Sequence, residues 1–149
     1  MRAPEKAITR STVMATHKRS VDVFNNRDAE AVAAVYAADA VVYDPLCPEP
    51  LRGRDAIRQD YAALFSSFPD ILTTILNVFV DGDTITYEMR LSGTNQGPLI
   101  TSTGKVPATN RRVAWPVAVF ADADAANLYR EVRRYYDVTN LMEQLGLDT

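Results

Sequence analysis

The order of patterns along this chain predicts an α+β fold. Apolar residues fall at helical spacing up to about Phe65, and β-branched and aromatic residues dominate from Ile71 onward. Asp81-Gly82-Asp83 separates two strand-like runs, which is a hairpin signal. Helices followed by a run of antiparallel strands make an α+β arrangement. A helical layer packed on a curved sheet leaves a concavity, the expected place for a ligand.

Each element has its own justification. From about Ile8 to Phe24, Ile8, Val13, Met14, Val21 and Phe24 are loosely helical in spacing, and Asn25, Asn26 and Arg27 break the pattern. Asp28 is a candidate N-cap for a second helix with Ala31, Val32, Val35 and Tyr36 on its inner side. Ala40 to Asp44 reads as a short strand and the proline-rich stretch Pro45 to Gly53 as a loop. A third helix from about Asp55 to Phe65 buries Ile57, Tyr61, Leu64 and Phe65, with Pro69 beyond its end. Leu72 to Val80 and Thr84 to Ser92 are the arms of the hairpin. A loop around Gly97 to Asn110 leads to a strand from Arg111 to Phe120. A turn near Ala121 to Ala126 leads to the last strand, Asn127 to about Tyr136, and Val138 to Leu145 forms a final helical turn or two.

The 149 residues fit one domain, taken as 1–149, with one core. A net charge of −3 leaves no basic footprint for nucleic acid. No apolar run is long enough to span a membrane, and Met1 to Arg10 has no apolar segment of the signal-peptide kind. One cysteine, Cys47, excludes an internal disulfide, and one cysteine with one histidine argues against a zinc site. The expectation is a cytoplasmic protein with no metal or organic cofactor.

The stretch VVYDPLCPEPLRG, residues 41 to 53, holds the most pointed candidate. Asp44 is either a turn residue before Pro45 or a base aimed into the concavity. Alternation puts Val42 and Asp44 on one strand face and Val41 and Tyr43 on the other. If Val42 faces the core, partial burial would raise the Asp44 pKa and strengthen it as a base. Glu88, Arg90 and Ser92 share one face of the hairpin strand, as a desolvated pocket pair or a solvated surface pair. On the last strand Arg130, Val132, Arg134 and Tyr136 alternate with Tyr129, Glu131, Arg133, Tyr135 and Asp137. Asp137 reads as the cap of the helix starting near Val138. His17 reads as exposed, Trp115 as packing or interface, and Cys47 as a loop thiol with no base partner.

The element order resembles the nuclear transport factor 2-like superfamily, a cone of curved antiparallel sheet closed by three N-terminal helices. LRGRDAIRQDYAALFSSFPD, RLSGTNQGPL and EVRRYYDVTNLMEQLG resemble its SnoaL-like polyketide cyclase branch. DAVVYDPLCPEPLRG is similar to the ketosteroid isomerase segment that carries a catalytic aspartate in an Asp-Pro pair. That resemblance makes Asp44 the proton-shuttling base and puts Tyr36 and Tyr61 in a tyrosine hydrogen-bond network. It also implies departures. Ser20 stands where the isomerases keep an oxyanion-hole tyrosine, and Ala118 stands near their protonated aspartate. Arg134 replaces the last-strand aspartate of limonene epoxide hydrolase and the ester cyclases, and Pro116 falls near the cyclase histidine. The resemblance turns Arg134 and Tyr136 toward the cavity, while the hydrolase comparison turns Tyr43 inward. In that hydrolase an arginine and an aspartate occupy the places of Glu88 and Arg90.

Two functions follow as expectations. One is a cofactor-free enzyme that removes a proton from a small apolar carbonyl substrate. Asp44 is its base, and Arg134, Arg90 or Tyr61 stabilises the enolate. Cyclisation leads by resemblance, then isomerisation, then epoxide hydrolysis. The other is a non-catalytic binding or accessory domain, its pocket lined by Ala114, Pro116, Ala118, Val132 and Tyr136. The resemblance also implies a homodimer through the outer sheet face, with Tyr129, Tyr135 and Trp115 supplying apolar area if they face out.

Overall fold

The structure is a computed structural model that describes residues 8–101 and 103–147. Most of the Met1 to Arg10 segment read for a leader lies outside them.

Helix α1 (Arg10–Asn25) starts at a capping box in which Thr9 and Thr12 satisfy each other's backbone N–H groups. Asp28 caps α2 (Ala29–Ala33) through the Ala31 N–H, as its sequence position requires. That helix lasts only five residues. The chain then enters β1 (Tyr36–Tyr43), so Tyr36 lies on a strand and not on a helix. A two-residue β2 (Leu51–Arg52) folds back on β1 ahead of α3 (Arg54–Ser67). The hairpin of β3 (Leu72–Asp81) and β4 (Thr84–Thr94) forms where Gly82 takes positive φ. The segment expected to be plain loop contains a small hairpin, β5 (Leu99–Thr101) with β6 (Gly104–Val106). β7 (Arg112–Ala123), β8 (Tyr129–Tyr135) and α4 (Val138–Gln144) complete the chain, and Asp137 caps α4.

The main sheet is curved and open, with strand order β2-β1-β8-β7-β4-β3. Two expectations need correction. The sheet is not wholly antiparallel, because β1 lies parallel to β8. The sheet is not closed by three N-terminal helices, because it stays open and α4, after the last strand, also packs against it at β7. The parallel pair follows from topology: the first long strand returns beside the last, and everything between forms the crossover.

Strand alternation sets what faces inward. On β7 Val113, Trp115, Val117 and Val119 are buried, while Ala114, Pro116 and Phe120 point outward. On β4 Ile85 and Leu91 are buried and Glu88 and Arg90 are exposed. β8 breaks simple alternation. Asp122 pairs with Glu131 and Ala123 with Tyr129, so Arg130 is the extra residue of a bulge. The bulge brings Tyr129, Val132 and Arg134 to the inner side together, although their numbers do not share one parity.

Among the described residues, no helix is long and apolar enough to cross a membrane.

Candidate active site

Between the helices and the inner sheet face lies a cavity of about 230 Å³. Phe24, Leu64, Phe68, Met89, Leu91 and Trp115 supply apolar wall. The polar lining comes from Ser20, Tyr36, Asp44, Asp60, Tyr61, Arg134 and Tyr136. A largely apolar concavity with a few convergent polar groups is the usual form of a small-molecule site.

Asp44 both closes a turn and lines the cavity. Its Oδ1 accepts the Leu46 backbone N–H at 2.8 Å, the hydrogen bond of an Asx turn. The same oxygen accepts the Tyr136 hydroxyl at 2.6 Å, and Oδ2 accepts Nη1 of Arg134 at 3.0 Å. The turn fixes the backbone while the carboxylate faces the cavity, its side chain only 8% exposed. A carboxylate offers about four acceptor positions, so three donors leave room for one more partner.

Arg134 Nη1 also donates to Oδ2 of Asp60 at 3.1 Å, so one guanidinium nitrogen holds two carboxylates. The guanidinium carbon sits 5.1 Å from the centre of the Tyr61 ring, within cation–π range. Burial opposes the Arg134 charge. The negative potential of Tyr61, Asp60, Tyr36 and Asp44 outweighs it and holds the pKa above the ordinary arginine value. Arg134 is therefore a fixed cation. Tyr136 is pushed up by burial, by the Asp44 charge and by the bond to Asp44, so it remains a hydrogen-bond donor at neutral pH. Tyr36 and Tyr61 share a hydroxyl–hydroxyl bond of 2.6 Å. Burial, then the Tyr61 neighbour, raises the Tyr36 pKa well above that of a free phenol.

Asp44, Arg134, Tyr36, Tyr61, Tyr136 and Ser20, all expected at the site, line one cavity. Other candidates do not join them. Arg90 and Glu88 point outward, where Glu88 accepts Asn77 Nδ2 at 3.1 Å across the hairpin. Their place in the alternation fixes this, because Tyr87, Met89 and Leu91 take the inner positions. Ala118 also lies on the outer face, opposite Glu88 and Tyr135, and the pocket wall on β7 is Trp115 and Val117 rather than Ala114, Pro116 and Ala118. Tyr43 is 41% exposed and lines an outer groove, so Asp44 and not Tyr43 faces the cavity. Of the three aromatics expected on the outer face, Trp115 and Tyr129 are buried inside and Tyr135 alone stands out. His17, expected to be exposed, is buried against the Tyr87 ring at 4.6 Å, and burial lowers its pKa. Cys47 borders the cavity, but burial followed by Asp60 and Asp44 pushes its thiol up to about 11, so it is no nucleophile at neutral pH.

Asp60 is the residue the sequence reading missed. It continues the α3 stripe Ile57–Asp60–Leu64 at i, i+3 and i+7, and a carboxylate within an apolar stripe is the signal that was present.

The sequence profile of the SnoaL-like domain matches residues 17–127. The chain belongs to the SnoaL-like family. No curated protein sequence matches it. Among solved structures it is similar to a protein of Jannaschia sp. CCS1 named as a SnoaL-like polyketide cyclase by assignment only, at 20% identity and TM-score 0.80 over 100% of this chain and 99% of that one. A protein of Xanthomonas campestris pv. campestris, likewise named as a polyketide cyclase by assignment only, gives 19% identity and TM-score 0.73 over 91% and 98%. An LEH-like epoxide hydrolase from M. tuberculosis gives 17% and 0.67 over 95% and 92%. At these identities the likeness establishes a shared SnoaL-like fold.

Proposed function

We propose that this SnoaL-like domain is an enzyme that removes a proton from a carbon next to a carbonyl in a small, mostly apolar substrate, without an organic cofactor. One observation carries the reading: Asp44, a nearly buried carboxylate, meets an arginine and a tyrosine donor at the edge of an apolar cavity. In the reaction Asp44 accepts the proton, and the electron pair of the broken C–H bond forms an enolate. Arg134 and Tyr136 stand ready to stabilise the charge on the enolate oxygen. Ring closure follows if the enolate carbon attacks a second carbonyl, and the resulting alkoxide recovers the proton from Asp44. Return of the proton to another carbon gives double-bond migration instead. Two of the similar structures are named as polyketide cyclases, and that supports ring closure as the first reaction to test.

The test is deuterium exchange at the activated carbon of 2-tetralone, followed by NMR. The native protein is expected to accelerate exchange, and Asp44→Asn to lower the rate about 10²–10⁴-fold, the usual contribution of a positioned base. Binding without any exchange, on this and other carbonyl probes, would leave a non-catalytic binding domain.

A second reading rests on the two carboxylates that share Arg134. Such a pair suits epoxide hydrolysis, where one carboxylate takes a proton from water and the other, protonated, gives one to the epoxide oxygen. Incorporation of ¹⁸O from labelled water into a diol product distinguishes it. We also infer a homodimer through the outer sheet face, where Phe79, Phe120 and Tyr135 are exposed. Light scattering on Phe120→Lys checks it, with a shift to monomer expected.

A further inference from the structure

Resting on the reading of Asp44 as the base, we propose that the substrate is an elongated amphiphile. Its carbonyl head stops at Asp44, Arg134 and Tyr136, and its apolar tail leaves the cavity between the β5–β6 hairpin and α4. Ile100, on β5, covers the end of the tail and sets the tail length the site prefers.

The strand registers order the cavity from end to end. On the inner sheet face Tyr129 stands beside Tyr36 and Ala123, Val132 beside Val42 and Ala121, and Arg134 beside Val119. Two and four residues further along β7 come Val117, beside Met89, and Trp115, beside Leu91. Trp115 and Leu91 therefore lie beyond the charge cluster, on the side away from Tyr129. On the Tyr129 side the buried rings of Tyr36, Tyr61 and Tyr129 pack on one another, Tyr36 lying 6.1 Å from Tyr61 and 5.6 Å from Tyr129 between ring centres. A molecule entering past Trp115 and Leu91 meets the charge cluster before that aromatic wall. Its polar end halts there, and the rest of it lies over apolar side chains.

The entry end is open and apolar. β1 and β8 run parallel, so the loop after Asp44 and helix α4 leave the sheet at the same end. β4 ends there and leads to β5, and α3 ends there before β3 begins. Leu46, Leu64, Ile100 and Met142, one from each of these four segments, all line the cavity. Leu46 is 47% exposed and Ile100 62%, whereas Phe68, Leu91 and Trp115 along the wall are buried. An exposed apolar side chain is ordinary on a surface, but these two also face a cavity whose far end holds the base. The hairpin that carries Ile100 is anchored. The Ser67 carbonyl at the end of α3 accepts the Gln96 and Gly97 N–H groups at 3.1 and 3.2 Å, and the Ser67 hydroxyl donates to the Pro98 carbonyl at 2.8 Å. Ile100 is thus held at the mouth before a ligand arrives, which lowers the cost of ordering it on binding. Size agrees. The cavity of about 230 Å³ is one and a half times an apolar cavity of roughly 150 Å³ that accepts benzene, so a head of one or two rings fills it and anything longer lies against the rim.

The test titrates 4-ethylphenol, 4-butylphenol and 4-hexylphenol, by calorimetry, into the native protein, Ile100→Ser and Asp44→Asn. The phenol stands in for the enol at Asp44, and the alkyl chain for the tail. Affinity for the native protein is expected to rise about threefold per methylene. Ile100 is mostly exposed, so Ile100→Ser keeps the fold. It is expected to weaken hexylphenol about fivefold and ethylphenol by less than about twofold, because only the longer chain reaches it. In NMR spectra of the native complex the terminal methyl of the hexyl chain should show a nuclear Overhauser contact to Ile100 and none to the Tyr129 ring. An equal effect of Ile100→Ser on all three phenols, no effect on any, an affinity that falls from butyl to hexyl, or a tail contact to Tyr129 would each overturn the inference. Failure of every phenol to bind would overturn both the inference and the reading of Asp44. If Asp44→Asn binds all three as tightly as the native protein while the Ile100 contact and the length dependence persist, the reading of Asp44 fails and the tail site stands, which is a different result.

Discussion

Replacing Arg134 by Met tests whether the charge cluster is one coupled unit. The substitution keeps most of the stem's apolar volume and removes the guanidinium. Asp44, with its side chain 8% exposed, then loses its only cationic partner among the described residues, while Asp60, at 29%, still has partial access to water. Breaking a buried pair by removing one partner costs about 3–5 kcal/mol, and the lower end applies here because Asp60 is partly solvated. At roughly 2–4 °C per kcal/mol for a chain of this size, a loss of about 3 kcal/mol lowers the melting temperature by roughly 6–12 °C. Urea unfolding at pH 7 measures it on Arg134→Met, Asp44→Asn and the double variant. The double variant should recover about 1–2 kcal/mol relative to the sum of the singles, since contacting residues couple by such amounts. A loss below about 1 kcal/mol for Arg134→Met, together with strict additivity in the double variant, would refute the claim that the cluster is buried and coupled.

Three further outcomes are expected. Tyr136→Phe removes the 2.6 Å donor to Asp44 and should lower kcat on a carbonyl substrate by about tenfold or more with little change in KM, because its hydrogen bond acts on the base and the enolate. Gly97→Ala should destabilise the fold by about 2 kcal/mol or more in thermal unfolding, because an added Cβ would lie 2.0 Å from the Ser66 carbonyl oxygen and force the chain off the Ser67 carbonyl. His17 has its pKa lowered by burial, so the unfolded chain protonates first, near pH 6.5, while the folded protein resists. Stability is therefore lost as pH falls below about 6.5 toward the folded value, and His17→Gln should flatten the melting temperature between about pH 6.5 and 5 relative to the native protein.

The sequence announced local features well. Asp28 and Asp137 sit where caps must sit, and each accepts the N–H three residues on. The β3–β4 turn and the start of α3 were legible for the same reason: the chemistry is within a few residues. Tyr36 was misread because the apolar spacing of α2 continues into it, while the backbone leaves the helix at Ala34. His17 was misread because its polar sequence neighbours say nothing about β4, whose Tyr87 ring covers it. The faces of β4 were open to either reading until its partner strand was known, since period-two alternation fixes two faces but not which is buried. The β5–β6 hairpin escaped notice because three-residue strands carry too few residues to show a period.

The site itself depends on one non-local register. β1 and β8 run parallel, with Tyr43 opposite Arg133. One residue further along, Asp44 meets Arg134, and the ion pair at 3.0 Å is the consequence. A slip of one residue would set Tyr43 beside Arg134 and turn Asp44 to the outer groove. Two features guard against that slip. The Asx turn from Leu46 and the backbone turn from Cys47 to the Asp44 carbonyl fix the end of β1. The Arg130 bulge fixes the phase of β8, so that Tyr129, Arg134 and Tyr136 reach one cavity. The same bulge thus serves both the aromatic wall, through Tyr129, and the charge cluster, through Arg134. A change that removed it would be expected to turn either Tyr129 or Arg134 out of the cavity, because alternation cannot supply inward residues at odd and even positions of one uninterrupted strand.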